Sequence, residues 1–243
     1  MGDIQKQFIE TLISGFAEYK YNVSKEQLDK FVTFNKMVMS TNKHTNLTAI
    51  EDGAESAKKH FLDSVNPAAM EIVKNADSVI DIGSGAGFPG IPLAILNPQV
   101  QFTLVDTRQK RCEFMNSAVE ELNLENTKII WNRAEELGKD TEYREKFEIA
   151  CARALAATPT LLEYLSPFVK IGGKVMLYKS KYTEEELSSS ESAANILNIS
   201  DFNIIPYSIL GDNSSYNIIL GKKTNATPIK YPRKSGIPTK RPL

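Results

Sequence analysis

The sequence predicts an α/β fold: a seven-stranded, mostly parallel sheet that ends in an antiparallel hairpin, preceded by a helical extension. Three observations predict it. The first third carries apolar residues at helical spacing. From Ser78 onward, short apolar runs alternate with helical stretches. The last two apolar runs are separated only by the turn-rich tetrapeptide GDNS. Such alternation specifies a parallel sheet with right-handed crossover helices, and a loop that short joins only antiparallel neighbours.

The elements follow in order. Ile4, Phe8, Leu12 and Phe16 predict a helix over 3–20, and Leu28, Phe31, Phe34 and Val38 predict a second over 24–39. Ser24 with Gln27 resembles a capping box at the second start. STNKHTNLTAI (40–50) reads as a loop. A helix over about 53–74 follows, broken near Pro67. The strands are SVIDI, QFTLVD, TKIIW, FEIAC, KVMLYK, FNIIPYSIL and SYNIILGKK, and helices fill 89–97, 108–122, 133–138, 158–166 and 183–197. Residues 1–76 thus form a helical extension packed on the core, 77–221 the core itself, and 222–243 a basic, Pro-rich tail.

With 243 residues, 42% apolar and 24% charged, the chain suits one large domain with a small extension. No apolar run reaches the ~18–20 residues of a membrane span. MGDIQKQF is not a signal peptide, Lys6 stands where a myristoylation signal wants Ser or Thr, and TKRPL is no prenylation box, so a cytoplasmic protein is expected. Cys112, Cys151, His44 and His60 have no metal-ligand spacing, so no metal is expected and no disulfide framework. The net charge of −1 conceals an asymmetry: 222–243 holds seven Lys or Arg and no acid, which leaves 1–221 at −8. Such a tail either binds phosphates or is a solvated terminus. Its four prolines predict an extended strap.

VIDIGSGAGFPGIP (79–92) carries the chemistry. Read from Gly85 it is G-x-G-x-x-G, a dinucleotide fingerprint; read from Asp81 it is D-x-G-x-G-x-G. The loop lies between a strand and a helix, at the sheet edge where ligands bind. Gly83, Gly85 and Gly87 permit close backbone approach and positive φ, while Pro89 and Pro92 suit a first helical turn and Gly90 falls in the helix. Asp106 ends the second strand, 21 residues after Gly85, where a carboxylate accepts from ribose hydroxyls of either NAD or S-adenosylmethionine (SAM). A dehydrogenase needs a second nucleotide half or catalytic domain, and none follows. The closing hairpin and Asp81 resemble instead a Rossmann-like class I SAM-dependent methyltransferase, in which the loop's backbone at Gly83, Gly85 and Gly87 and the acids Asp81 and Asp106 can bind the cofactor's ammonium and ribose groups. Asn132-Arg133-Ala134-Glu135-Glu136, after the third strand, either meets the adenine edge or places acids at a helix N-terminus.

NKHTNLTAI (42–50), KHFLDS (59–64), DIGSGAGFPGIPLAI (81–95), VDTRQKR (105–111), NRAE (132–135), ARA (152–154) and YPRKSGIPTKRPL (231–243) together resemble the ribosomal RNA small subunit methyltransferase G family, formerly the glucose-inhibited division protein B family. The resemblance spans nearly the whole chain. It implies SAM as cofactor, 16S rRNA in the small subunit or an assembly intermediate as partner, a monomer, and methylation of guanine N7 in the 530 loop, at guanosine 527 in customary numbering. It also implies cofactor contacts at Gly83, Phe88, Ala134, Glu135 and Arg153. Position 88 is Phe here and Leu in some members.

The residues agree with that chemistry. No Asp/Asn-Pro-Pro-Tyr/Phe motif for amine methylation is present. Guanine N7 carries a free lone pair, so no base need remove a proton, and catalysis reduces to placing N7 in line with the methyl group, worth ~7–11 kcal/mol. A cation beside N7 would oppose the charge that develops, so Arg153 belongs at the SAM carboxylate or an RNA phosphate. Asn46, His60 and Lys179 are the positioning candidates, although His60 reads more readily as a structural helix residue than as a catalyst, and Asn46 equally as an Asx turn. Cys151 and Cys112 read as buried fillers. Lys230, Arg233, Lys234, Lys240 and Arg241 offer phosphate contacts, and Tyr231 a stacking face. Deletion of the tail is accordingly expected to weaken RNA binding and spare cofactor affinity. Two other functions are compatible with these residues: an NAD-dependent oxidoreductase and a non-catalytic rRNA-binding assembly factor.

Overall fold

Helix starts are encoded locally in the N-terminal third. The computed structural model, which describes residues 2–45, 47–153, 156–179 and 184–243, has α1 at Asp3–Glu18 and α2 at Lys25–Thr45. Ser24 and Gln27 form the expected reciprocal cap: the Gln27 N–H donates to Ser24 Oγ (3.1 Å) and the Ser24 N–H to Gln27 Oε1 (3.0 Å). Phe8, Leu12, Phe16, Phe31, Phe34 and Val38 are buried as their spacing predicts. Ile4 is not; it is 52% exposed. The backbone of its turn is what packs, since a Cβ on Gly53 would fall 2.0 Å from the Ile4 carbonyl oxygen.

α2 runs six residues further than expected, into the polar stretch read as a loop. The Ser40 hydroxyl donates to the Met37 carbonyl (3.0 Å), so it is absorbed by the helix instead of breaking it. Asn42 Oδ1 accepts from the Thr48 N–H (2.8 Å) and ties the following segment back. α3 (Gly53–Ser56) is capped by Asp52, which accepts from the Glu55 N–H. It continues as an unexpected π-helical turn, Ala57–Leu62. α4 (Pro67–Val73) restarts behind Asn66, whose side chain accepts from the Ala69 N–H, so the break falls at Pro67 as predicted.

The seven strands are β1 (Ser78–Ile82), β2 (Gln101–Asp106), β3 (Thr127–Trp131), β4 (Phe147–Arg153), β5 (Val169–Lys179), β6 (Ile199–Ile209) and β7 (Asp212–Lys223), in the order β3-β2-β1-β4-β5-β7-β6. The first five pair in parallel, and β7 is antiparallel to both β5 and β6. Gly211 turns the hairpin with φ +65°, a conformation glycine adopts without strain. The crossovers carry α5 (Gly90–Leu96), α6 (Gln109–Glu121), α7 (Ala134–Leu137), α8 (Thr158–Leu165) and α9 (Glu184–Leu197). One face of the sheet packs against the N-terminal helices, α5 and α6; the other packs against α7, α8 and α9. Strand order reverses between β1 and β4, which makes the carboxyl ends of β1 and β4 the topological switch point.

The tail differs from expectation. It is neither a free strap nor wholly extended: Tyr231 and Pro232 are buried, and Ile237–Lys240 forms a short helix, α10. Its root is a fully buried ammonium. Lys223 donates to the Ser166 and Val169 carbonyls (2.7 and 3.2 Å) and to Thr227 Oγ1 (2.6 Å), and pairs with Glu145 at 3.3 Å. Arg144 adds bonds to the carbonyls of Thr227 and Tyr231. The cations at the strand end therefore fasten the tail to the second face of the sheet.

Candidate active site

The glycine loop takes its shape from two aspartates at the ends of adjacent strands. Gly83, Gly85 and Gly87 all have positive φ (+76°, +62° and +95°), which only glycine adopts freely. Asp106 Oδ2 accepts from the Gly85 N–H (3.0 Å) and faces Arg111 Nη1 (3.4 Å), while Oδ1 accepts from the Arg108 N–H (2.9 Å). Asp81 lies behind the loop. Its carboxylate is fully buried, Oδ2 accepts from the Gly90 N–H (3.1 Å), and Oδ1 has no partner among the described residues. Burial pushes its pKa up to about 6 despite the bond from the Gly90 N–H. Gly90 itself serves packing: a Cβ there would fall 2.7 Å from Leu104 Cγ.

A cleft of 290 Å³ opens at the carboxyl ends of β1, β2 and β3. Gly83 and Asp106 form its floor, Arg108 and Arg111 one side, and Asn132 through Glu135 the other. At the start of α7 the first N–H groups have no intrahelical acceptor, and Ala134 and Glu135 stand there on the cleft wall. The fourth wall was not foreseen. Tyr164 of α8 and Gly236 and Thr239 of the tail complete the cleft. Glu135 Oε1 accepts from the Gly236 N–H (2.8 Å), Glu136 accepts from the Ser235 hydroxyl (3.0 Å), and Tyr164 bonds Thr239. Arg233 is bound in a fork by the fully buried Glu163, at 2.6–3.0 Å. An acid inside the apolar run TLLEYL was the sequence signal for a buried cation partner.

Beside the loop, toward β4, lies a second cluster. Phe88 is 5% exposed and sits among Phe34, Phe61 and His60, with ring centroids 5.1, 5.1 and 4.8 Å away. Its ring thus joins the loop to the helical layer. Arg153, at the end of β4, lies 5.4 Å over the same ring. Its Nη1 pairs with Asp63 (2.8 Å) and caps the carbonyls of Lys59 and His60 at the π-helical turn. Asp63 also accepts from the Tyr207 hydroxyl of β6. Nη2 and Nε of Arg153 make no hydrogen bond among the described residues. His60 bonds Thr48 Oγ1 through Nε2 (2.7 Å), and its Nδ1 is buried with no partner among the described residues. Burial, aided by Arg153, holds its pKa near 3, so the ring is neutral across physiological pH. Cys151 is buried beside Asp81 in the β1–β4 register, and burial raises its thiol pKa well above the usual value.

The comparisons with known proteins agree with one another. The sequence model of "rRNA small subunit methyltransferase G" matches residues 27–208. A ribosomal RNA small subunit methyltransferase G of Acetivibrio thermocellus is 41% identical over 243 residues, the full length of both chains. The chain belongs to the rRNA small subunit methyltransferase G family. The family relative of Carboxydothermus hydrogenoformans is 39% identical, over 94% of this chain and 97% of its own. Among solved structures, a SAM-dependent methyltransferase from Aquifex aeolicus shares the fold, with a TM-score of 0.53 at 13% identity over 73% of this chain and 97% of that one. The chain is therefore an rRNA methyltransferase by family and Rossmann-like by fold. The oxidoreductase alternative falls with that membership, and the literal G-x-G-x-x-G string is the wrong frame for this loop.

Among the family-implied positions, Gly83, Ala134 and Glu135 meet at the cleft with Asp106, whereas Phe88 and Arg153 stand in the adjacent cluster. Gly85 and Gly87 shape the loop between them. Asn46 lies outside the described residues. Lys179 is a strut and not a free cation: it bonds Glu186 (2.6 Å) and the Ala156 carbonyl (3.3 Å). Of the tail residues, Arg233 is paired with Glu163 and Tyr231 is 6% exposed. Lys230 lies over the Tyr231 ring; Lys234, Lys240 and Arg241 are exposed.

Proposed function

We propose that this chain transfers the methyl group of SAM to N7 of a guanine in the 530 loop of 16S rRNA, guanosine 527, in the small subunit or an assembly intermediate. The reading is carried by membership of the family, and the described groups beside the loop agree with it: His60 is neutral and half-buried with Nε2 engaged by Thr48, Asp81 and Cys151 are sealed behind the loop, and Asp106 is tied to the Gly85 and Arg108 N–H groups. That suits a nucleophile with a ready lone pair and is a poor arrangement for deprotonating an amine, a hydroxyl or a carbon acid.

The residues present fit SAM. Asp106 offers carboxylate oxygens for ribose hydroxyls, Ala134 and Glu135 at the start of α7, where a helix leaves its first N–H groups without intrahelical acceptors, line the cleft for an adenine edge, and the glycines leave room for close approach. Arg153 keeps two guanidinium nitrogens for a carboxylate. When bound, SAM supplies a methyl group already activated on a sulfonium. The chain's own work is then positional. Asp106 and Glu135 hold the loop and the tail that frame the cleft, and the cluster around Phe88 fixes the loop against the helical layer.

Unmodified small subunits reconstituted with 7-deazaguanine at the target position test the reading. Wild-type subunits should accept labelled methyl groups and the 7-deaza subunits none, because the attacking lone pair is missing. Equal transfer to both would place the reaction on another atom. No transfer to either, with rRNA still bound, would favour the assembly-factor reading.

A further inference from the structure

Trp131, the only tryptophan, ends the edge strand β3 and is 60% exposed. Its indole N–H donates to the Thr107 carbonyl (3.0 Å), so the ring is held in one place with most of its surface in solvent. Holding a large aromatic ring in water forgoes its burial, at roughly 25 cal/mol for each Å² left exposed. No described residue covers the exposed part of the ring.

The surroundings are cationic in a body that is otherwise acidic. Arg108 and Lys110 begin the segment after β2, and Arg133 follows β3 two residues beyond the tryptophan; all three are exposed, and none has an ion-pair partner among the described residues. Arg108 and Arg133 line the same cleft as Thr239, so Lys240 and Arg241 of the tail extend this rim. The nearby acids are occupied. Asp106 is buried against Arg111, Glu113 accepts from Gln109, and Glu135 and Glu136 hold the tail.

We propose that this rim is a docking surface for an unpaired stretch of the rRNA substrate: one base stacks on Trp131, and its flanking phosphates meet Arg108, Lys110, Arg133, Lys240 and Arg241. The proposal rests on the reading of rRNA as substrate and adds where it is held. A fixed aromatic face among unpaired cations is what single-strand binding uses, since every base has a π-face and the contact tolerates sequence. The stacked base is a neighbour of the methylated one, because Trp131 stands outside the cleft.

The single tryptophan makes the test direct. Unmodified small-subunit rRNA added to SAM-saturated protein should quench the Trp131 emission, and rising salt should reverse the quenching. Trp131→Ala should raise the KM for that rRNA about 5- to 150-fold, the range of one lost base–aromatic stack. SAM affinity by calorimetry should stay at the wild-type value, and Trp131→Phe should recover most of the loss. Lys110→Gln should lower the slope of log affinity against log salt by about one contact. Absent quenching with a wild-type KM for Trp131→Ala overturns the surface while methyl transfer continues. Equal quenching by a blunt RNA duplex also overturns the stacking. Quenching and rRNA affinity need no turnover, so a failure of methyl transfer by the wild-type chain counts against the reaction and not against this surface.

Discussion

Asp81 and Asp106 end neighbouring strands 25 residues apart, and both belong to motif-like positions. Asp81 is fully buried and braces the start of α5; Asp106 is at the cleft. Burial raises the native pKa of Asp81 to about 6 from 3.8, so between those values the folded chain holds the extra proton. Stability from this group therefore falls as pH rises through that window. Asp81→Asn keeps an oxygen for the Gly90 N–H and should remove that slope, while raising stability at pH 7 by about 1–3 kcal/mol. Urea titrations from pH 4 to 8 check this; an unchanged slope would assign it to another carboxylate. His60, with its pKa near 3, should add no inflection to the pH–rate profile between 5 and 8. An inflection near 6.5 that vanishes in His60→Gln would give it a proton-transfer role. The D-x-G-x-G-x-G spacing was legible in the sequence. Which of the two carboxylates lines the cleft was not, because that depends on which side of the loop each strand end closes.

At the scale of elements, the strands and crossovers were legible because period-2 and helical patterns are local. Two features were not. The π-helical turn Ala57–Leu62 depends on Arg153, ninety residues away, capping its carbonyls. The tail's course depends on pairs between distant segments, Arg233 with Glu163 and Lys223 with Glu145. Its composition says only "basic and Pro-rich", which is equally true of a solvated strap. Arg233→Ala leaves a fully buried Glu163 without its cation and should cost on the order of 3–5 kcal/mol. Thermal unfolding measures it. Arg233→Ala, Glu163→Leu together should recover much of that loss if the unpaired carboxylate is its source, and none if the arginine acts through another contact.

For the whole molecule, the tail is part of the site and not an appendage. It supplies Gly236 and Thr239 to the cleft, and its root is in the core. The expectation that its deletion spares the cofactor is therefore replaced. Removal of 224–243 should lower both the melting temperature and SAM affinity, and calorimetry of the truncated chain at a temperature where it is folded separates the two. Unaltered SAM affinity there would remove the tail from the cleft. N7-methylation leaves a guanosine whose chain cleaves after borohydride and aniline treatment, so the reaction can be read directly on the RNA. Unmodified small subunits incubated with the protein and SAM should acquire one such cleavage site, at guanosine 527 of the 530 loop. Methyl incorporation without cleavage there, or cleavage at a different guanosine, would contradict the account.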